Sequence, residues 1–166
     1  MRVYIAADHA GFYLKKSLIQ YLKIKGYEVE DCGAFEMNED DDYPDFIIPC
    51  AQKVVDDTGS LGIVIGGSGQ GEAIAANKVK GIRAAVFYGP STHSTNSVQA
   101  SSGQAATQIP KLAREHNDAN ILSLGARFIS GDDAKKAVTS WLEAKFEGGR
   151  HVARLKKIEE VEGGKK

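Results

Sequence analysis

A chain of 166 residues, 42% of them hydrophobic, has the length of one domain and can bury a real core. Its formal net charge of −1 gives no electrostatic ground for a nucleic-acid or anionic-membrane partner, and no apolar run is long enough to span a bilayer. Two cysteines, Cys32 and Cys50, lie far apart and outside any metal-binding spacing, which suits a reduced, cytoplasmic setting.

The opening run MRVYIAADHAG goes straight into a strand over Val3–Ala7, and no signal peptide is expected there. Asp8, His9, Ala10 and Gly11 form the turn beyond that strand. A helix follows to about Lys25, with Leu14, Leu18, Tyr21 and Leu22 at helical spacing and Gly26 as its stop. Tyr27–Asp31 reads as a short second strand, and the acidic run Asn38–Asp42 as solvated loop. Pro44 opens a helix through Phe46, Ile47, Ala51, Val54 and Val55, and Pro49 leaves the extent of its first turn open.

Ile63, Val64 and Ile65 form a β-branched run suited to a strand buried on both faces. Gly66, Gly67, Gly69 and Gly71 then leave little side chain over a tight turn, and EAIAANK has helix-forming composition. Strand, glycine turn and helix bring backbone N–H groups to bear on an anion. The same glycines can serve only close helix–sheet packing, and the run matches neither GxxxxGK[ST] nor a full GxGxxG. Glu72, a carboxylate in the first helical turn, points instead to chemistry on an anionic substrate.

Arg83–Phe87 is a fourth strand. Gly89–Gln108 is polar and aperiodic and reads as a long loop, a lid or a tolerated surface insertion. Pro110 suits the first turn of a helix running LAREHN, and Asn120–Leu124 is a fifth strand ending at Gly125-Ala126-Arg127. Ser130 with Asp133 resembles a capping box, and Ala134, Ala137, Val138, Trp141 and Leu142 give the next helix its buried face, to a stop at Gly148-Gly149. A last helix from about Arg150 carries Val152, Leu155 and Ile158 on one side, and 163–166 should fray.

Strands alternating with helices predict a single α/β domain over 1–166, a three-layer α/β/α sandwich on a five-stranded parallel, Rossmann-like sheet. Ligands in such sheets bind beyond the carboxyl ends of the strands, which gathers Asp8, His9, the glycine loop and Arg127 at one rim. Each candidate also has a plainer reading. Asp8-His9 suits a turn and helix cap, and His116 a favourable charge at a helix C-terminus. Arg150 and Arg154, at i and i+4, grip a phosphate or form a solvated basic face, and Arg127 is an anion clamp or a surface ion-pair partner. No Ser-His-Asp order, HExxH pattern or metal spacing is present, so neither metal nor cofactor is expected. Acid–base groups, amide donors and arginines together suit proton abstraction beside a carbonyl on a phosphorylated substrate.

The segments AADHAG, DYPD, GGSGQGEAIAANKVKGIRAA, LAREHNDANILSLGAR and WLEAKFEGGRHVAR cover most of the chain. In that order they resemble the B-type ribose-5-phosphate isomerases and their relatives, the galactose-6-phosphate isomerase subunits. The resemblance implies that His116 opens the sugar ring and that Asp8 contacts the sugar oxygens. It implies phosphate contacts from His9, Arg150 and Arg154, and an Arg127 contributed by a partner subunit. Gly67, Ser68 and Gly71 fall in the loop whose amides hold an enediolate, with Gly69 between them and Asn117 beside His116 as further contacts. Ser68 joins the catalytic candidates.

Many members carry a catalytic cysteine at the position of Gly66, whereas a subset places a glutamate at the position of Glu72, as here. The implied reaction interconverts D-ribose 5-phosphate and D-ribulose 5-phosphate, without cofactor or metal, in sites at a homodimer interface. A galactose, allose or tetrulose phosphate as substrate, or sugar-phosphate binding without catalysis, are the alternatives. A helix N-terminus should lower the basicity of Glu72, and desolvation by bound sugar should raise it.

Overall fold

The computed structural model describes residues 1–89 and 102–164. The strands are β1 (Arg2–Ala7), β2 (Glu28–Asp31), β3 (Leu61–Gly66), β4 (Ala84–Phe87) and β5 (Ile121–Gly125). The helices are α1 (Phe12–Ile24), α2 (Pro44–Asp56), α3 (Gln70–Ala76), α4 (Ser102–Asn117), α5 (Gly131–Glu143) and α6 (Arg150–Glu162), and a 3₁₀ turn over His9–Gly11 precedes α1.

All strand pairs are parallel, in the order β2-β1-β3-β5-β4. The chain leaves β1 to one side for β2 and to the other for β3, so the order reverses between β1 and β3. In such sheets ligands enter the crevice at this switch point. Asp8 follows the last residue of β1, and Gly67 follows the last residue of β3.

Strand side chains alternate between two cores, as the period of two requires. Val3, Ile5 and Ala7, with Ile63, Ile65, Leu122 and Leu124, meet Leu18 and Leu22 of α1 and Trp141 of α5. Tyr4, Ala6, Val64 and Ile121 meet Ile47, Ala51 and Val54 of α2 and Ala75 and Ala76 of α3. The three-layer sandwich and five parallel strands expected from the sequence are present.

Three details differ from the sequence reading. Residues 102–108 are helical, so Pro110 lies inside α4 and not in its first turn. The Thr107 carbonyl accepts the Ser140 hydroxyl of α5 at 2.7 Å, a tertiary support that polar composition does not advertise. Residues 90–101 of the expected loop lie outside the described residues. Helix α5 stops at Glu143, where Ala144 turns extended, well before Gly148-Gly149. Finally, Asp41 of the acidic run is not solvated: its side chain is 5% exposed.

Candidate active site

Asp8 closes β1 and opens the 3₁₀ turn. Its carboxylate accepts the Gly11 amide at 3.1 Å, so it is indeed a cap, yet it is also buried at the switch point. The glycine turn after β3 is pinned from below. Ser123 Oγ donates to the Gly69 carbonyl at 2.7 Å, while the amides of Ala126 and Arg127 donate to the carbonyls of Gly66 and Gly67 at 2.8 and 3.1 Å. Gly69 has φ +77°, a left-handed conformation that only glycine adopts without strain. Ser68 Oγ accepts the Gln70 amide at 3.3 Å.

Glu72 then folds back over Gly66. A Cβ on Gly66 would lie 1.8 Å from Glu72 Oε1 and 2.1 Å from its Cδ. The carboxylate therefore occupies the volume that any side chain at residue 66 would need. A thiol at residue 66 and a carboxylate from residue 72 are two ways to fill one place. Glu72 is 4% exposed. Burial pushes its pKa above the ordinary 4.5, and the nearby Asp8 charge adds to this, against the lowering effect of the Glu72 and Gly69 amides. The protein's own packing thus supplies desolvation that the sequence reading assigned to bound sugar.

Three further groups stand along the same rim. Arg127 lies over the turn of its own chain, its Cζ 3.1 Å from where a Gly67 Cβ would be, so it belongs to the same rim as Asp8 without help from a partner. Tyr43 packs on the far end of the turn, its Cζ 2.9 Å from a would-be Gly71 Cβ. His9 donates its amide to Asp41 Oδ1 at 3.1 Å and brings Nδ1 to the same oxygen at 2.7 Å. Tyr43 and Asp41 are absent from the sequence-based site. Asp41 has no local signal to distinguish it from Asp40 and Asp42.

His116, Asn117, Arg150 and Arg154 are elsewhere. Helix α4 runs back against the strand direction, so its last residues, His116 and Asn117, stand at the amino end of β5. Five residues of strand, about 15 Å, separate that end from the carboxyl rim. There the His116 ring stacks on His151, with centroids 4.4 Å apart and planes 12° from parallel. His116 Nε2 lies 3.7 Å from Glu147, whose amide donates to the Glu115 carbonyl at 3.0 Å. Burial lowers the pKa of His151, and the neighbouring His116, Arg150 and Arg154 charges lower it further. Arg150 and Arg154 are exposed on the first turns of α6.

Two triads bring possible ligand atoms within 4.8 Å of one another, Asp8/His9/Asp41 and His116/Glu147/His151. In the first, Asp41 Oδ1 is committed to two His9 nitrogens. In the second, near-parallel rings set their lone pairs side by side, whereas a metal needs them to converge. Cys32 and Cys50, both free, face each other across β2 and α2. Their contact lowers the pKa of Cys32 and raises that of the fully buried Cys50.

A parallel α/β sheet with a buried carboxylate of raised pKa at its switch point places the chain among α/β proteins that take a small ligand at the carboxyl rim. Residues 3–158 match the ribose/galactose isomerase family, and the chain belongs to that family. It is 44% identical over 167 residues to ribose-5-phosphate isomerase B of Mycobacterium tuberculosis, covering 98% of this chain and 90% of that one. Among solved structures, ribose-5-phosphate isomerase B of Clostridium thermocellum superposes with a TM-score of 0.85 at 43% identity, covering 99% of both chains. The Mycoplasma genitalium enzyme with bound ribulose-5-phosphate gives 0.85 at 39% identity, covering 98% of this chain and 96% of that one.

Proposed function

We propose that this chain interconverts D-ribose 5-phosphate and D-ribulose 5-phosphate, with Glu72 moving the proton between C2 and C1. The observation that carries the reading is the Glu72 carboxylate, buried over Gly66 at the switch point with its pKa raised. A raised carboxyl pKa makes a stronger base, and a positioned base contributes about 10²–10⁴-fold. His116 opens the furanose, and Asp8 and Ser68 contact the sugar. Amides of Gly67, Gly69 and Gly71 face the enediolate oxygen, each such donor contributing about 3–4 kcal/mol. His9, Arg127, Arg150 and Arg154 hold the phosphate, and Asn117 supports His116. Likeness to ribose-5-phosphate isomerases B at 40–44% identity over nearly the whole chain supports this substrate.

The working unit we infer is a homodimer. Glu72 and His116 occupy opposite rims of one sheet, so a site using both takes its carboxyl rim from one copy and its amino rim from another. An exposed Tyr88–Phe128 pair, with centroids 6.3 Å apart, stands beside Arg127 as apolar surface for a second copy to cover. The test is turnover over a panel of aldose phosphates of four to six carbons. Ribose 5-phosphate should give the highest kcat/KM. A six- or four-carbon preference would overturn the substrate, and binding of every sugar without turnover would overturn the catalytic reading.

A further inference from the structure

Asp41 is buried far more deeply than its acidic neighbours, and the structure shows what it serves. Its Oδ1 takes both the amide and the ring Nδ1 of His9. Its Oδ2 is buried without a hydrogen-bond partner, and among the described residues His9 is its sole ion-pair partner. The other charged groups facing His9 are Asp8, next to it in the chain, and Arg127 from the turn after β5. The imidazole is 28% exposed, so the ring reaches the rim of the site while its Nδ1 edge is held inside.

We propose that Asp41 is a positioning residue that holds His9 as an imidazolium, Nδ1–H turned inward and Nε2–H presented to the phosphate of the substrate. This rests on the reading of His9 as a phosphate contact. A phosphate monoester carries about −1.5 to −2 charges at neutral pH, since its second pKa is about 6. Near His9 it meets Asp8 and Asp41, both repulsive. A protonated His9 cancels Asp41 and donates a charge-assisted hydrogen bond, whereas a neutral His9 leaves Asp41 uncompensated and donates only a weak one. The double contact to Oδ1 also fixes ring rotation and tautomer.

The electrostatics run in the same direction. The hydrogen bond to Asp41 raises the pKa of His9 above 6.5, and Asp8 adds to this, while burial and Arg127 act against it. His9 thus keeps its proton to higher pH than an ordinary imidazole and loses it as pH rises through the elevated value. Without the Asp41 charge, Asp8 alone acts against burial and Arg127, and protonation fails at lower pH.

Steady-state kinetics of wild type, Asp41→Asn and His9→Ala over pH 5.5 to 9 test this. Asparagine keeps an oxygen for the two donors and removes the charge. The ratio of Asp41→Asn KM to wild-type KM should stay near one at pH 5.5 and climb to about tenfold by pH 8, the scale of one charge-assisted contact. The kcat ratio should show no such climb, and the substrate's own phosphate titration cancels in both ratios. A KM ratio that does not change with pH overturns the proposal. His9→Ala separates the two layers: an unchanged KM refutes the phosphate role itself. A raised KM beside a pH-independent Asp41→Asn ratio refutes the Asp41 role alone. Imidazole ¹⁵N shifts of the unliganded wild type give a readout that needs no variant to fold. His9 should titrate above 6.5 with its Nδ1 protonated, and titration at or below 6.5 overturns the assignment.

Discussion

The carboxyl rim of the sheet and its amino rim hold the two sets of site residues in different states of readiness. At the carboxyl rim, Asp8, Glu72 and Asp41 are buried, and Arg127 and Tyr43 close on the glycine turn. At the amino rim, a part-exposed His116 stacks on a buried His151, and two arginines stand exposed beside them. Bases must be desolvated in advance to be strong, and that can be done within one chain. Cations left at the surface keep the hydration that a buried position would strip from them. The carboxylate with the raised pKa therefore sits where one chain can bury it.

Mixing experiments break this comparison most visibly. Glu72→Gln and His116→Ala alter opposite rims, so each homodimer should be crippled, while random reassociation should restore about a quarter of wild-type sites in a symmetric dimer. Glu72→Gln mixed with Arg127→Ala should restore none, because both residues lie on the carboxyl rim of one chain. Recovery in that second mixture would move Arg127 to the partner's half.

A second effect of similar kind is steric. Gly66→Ala places a methyl group where Glu72 Oε1 lies, so the carboxylate must leave its place. The expected loss in kcat is about 10²-fold or more, with the fold retained by circular dichroism. Unaltered kcat would show that the base does not need this position. At the other rim, Arg154→Ala should lower kcat/KM by about 10- to 100-fold, one charge-assisted contact. Wild-type values would return the Arg150–Arg154 face to the status of solvated surface.

The smallest effect is on stability. Since the folded-state pKa of Glu72 is raised above 4.5, its ionisation costs the native state as pH climbs past that value. Glu72→Gln should then melt higher than wild type at pH 7, by about 2–4 °C for each kcal/mol relieved in a domain of this size. The gain should vanish below about pH 4, where the carboxyl is protonated in both states. A variant melting lower at pH 7 would mean that its amide contacts outweigh desolvation.

The sheet was legible because its residues carry their own signals. Val3–Ala7 and Ile63–Ile65 alternate between two cores, and Ser130 caps α5 with its side chain on the Asp133 amide at 3.1 Å. What escaped reading depends on distant partners. The start of α4 has polar composition and is supported by Ser140 of α5. Lys15, fully buried on α1, is neutralised by Asp31 at 2.5 Å and donates to the Ala34 carbonyl at 2.6 Å, neither partner predictable from its helix. Asp41 looks like any residue of an acidic run until His9 is folded against it. In the same way, the sequence offers Glu72 and His116 as members of one site, and only the direction of α4 reveals that they stand at opposite rims.

Exchange of the C2 proton of ribose 5-phosphate with deuterated solvent tests the central claim most directly, because it reports abstraction apart from product release. The measurement is run on wild type, Glu72→Gln and a variant with both cysteines changed to serine. Removal of the acceptor in Glu72→Gln should suppress exchange by about 10²-fold or more while ribose 5-phosphate still binds, and the cysteine-free protein should exchange at nearly the wild-type rate. Wild-type exchange in Glu72→Gln, or none in a folded cysteine-free protein, would contradict the assignment of Glu72 as the base.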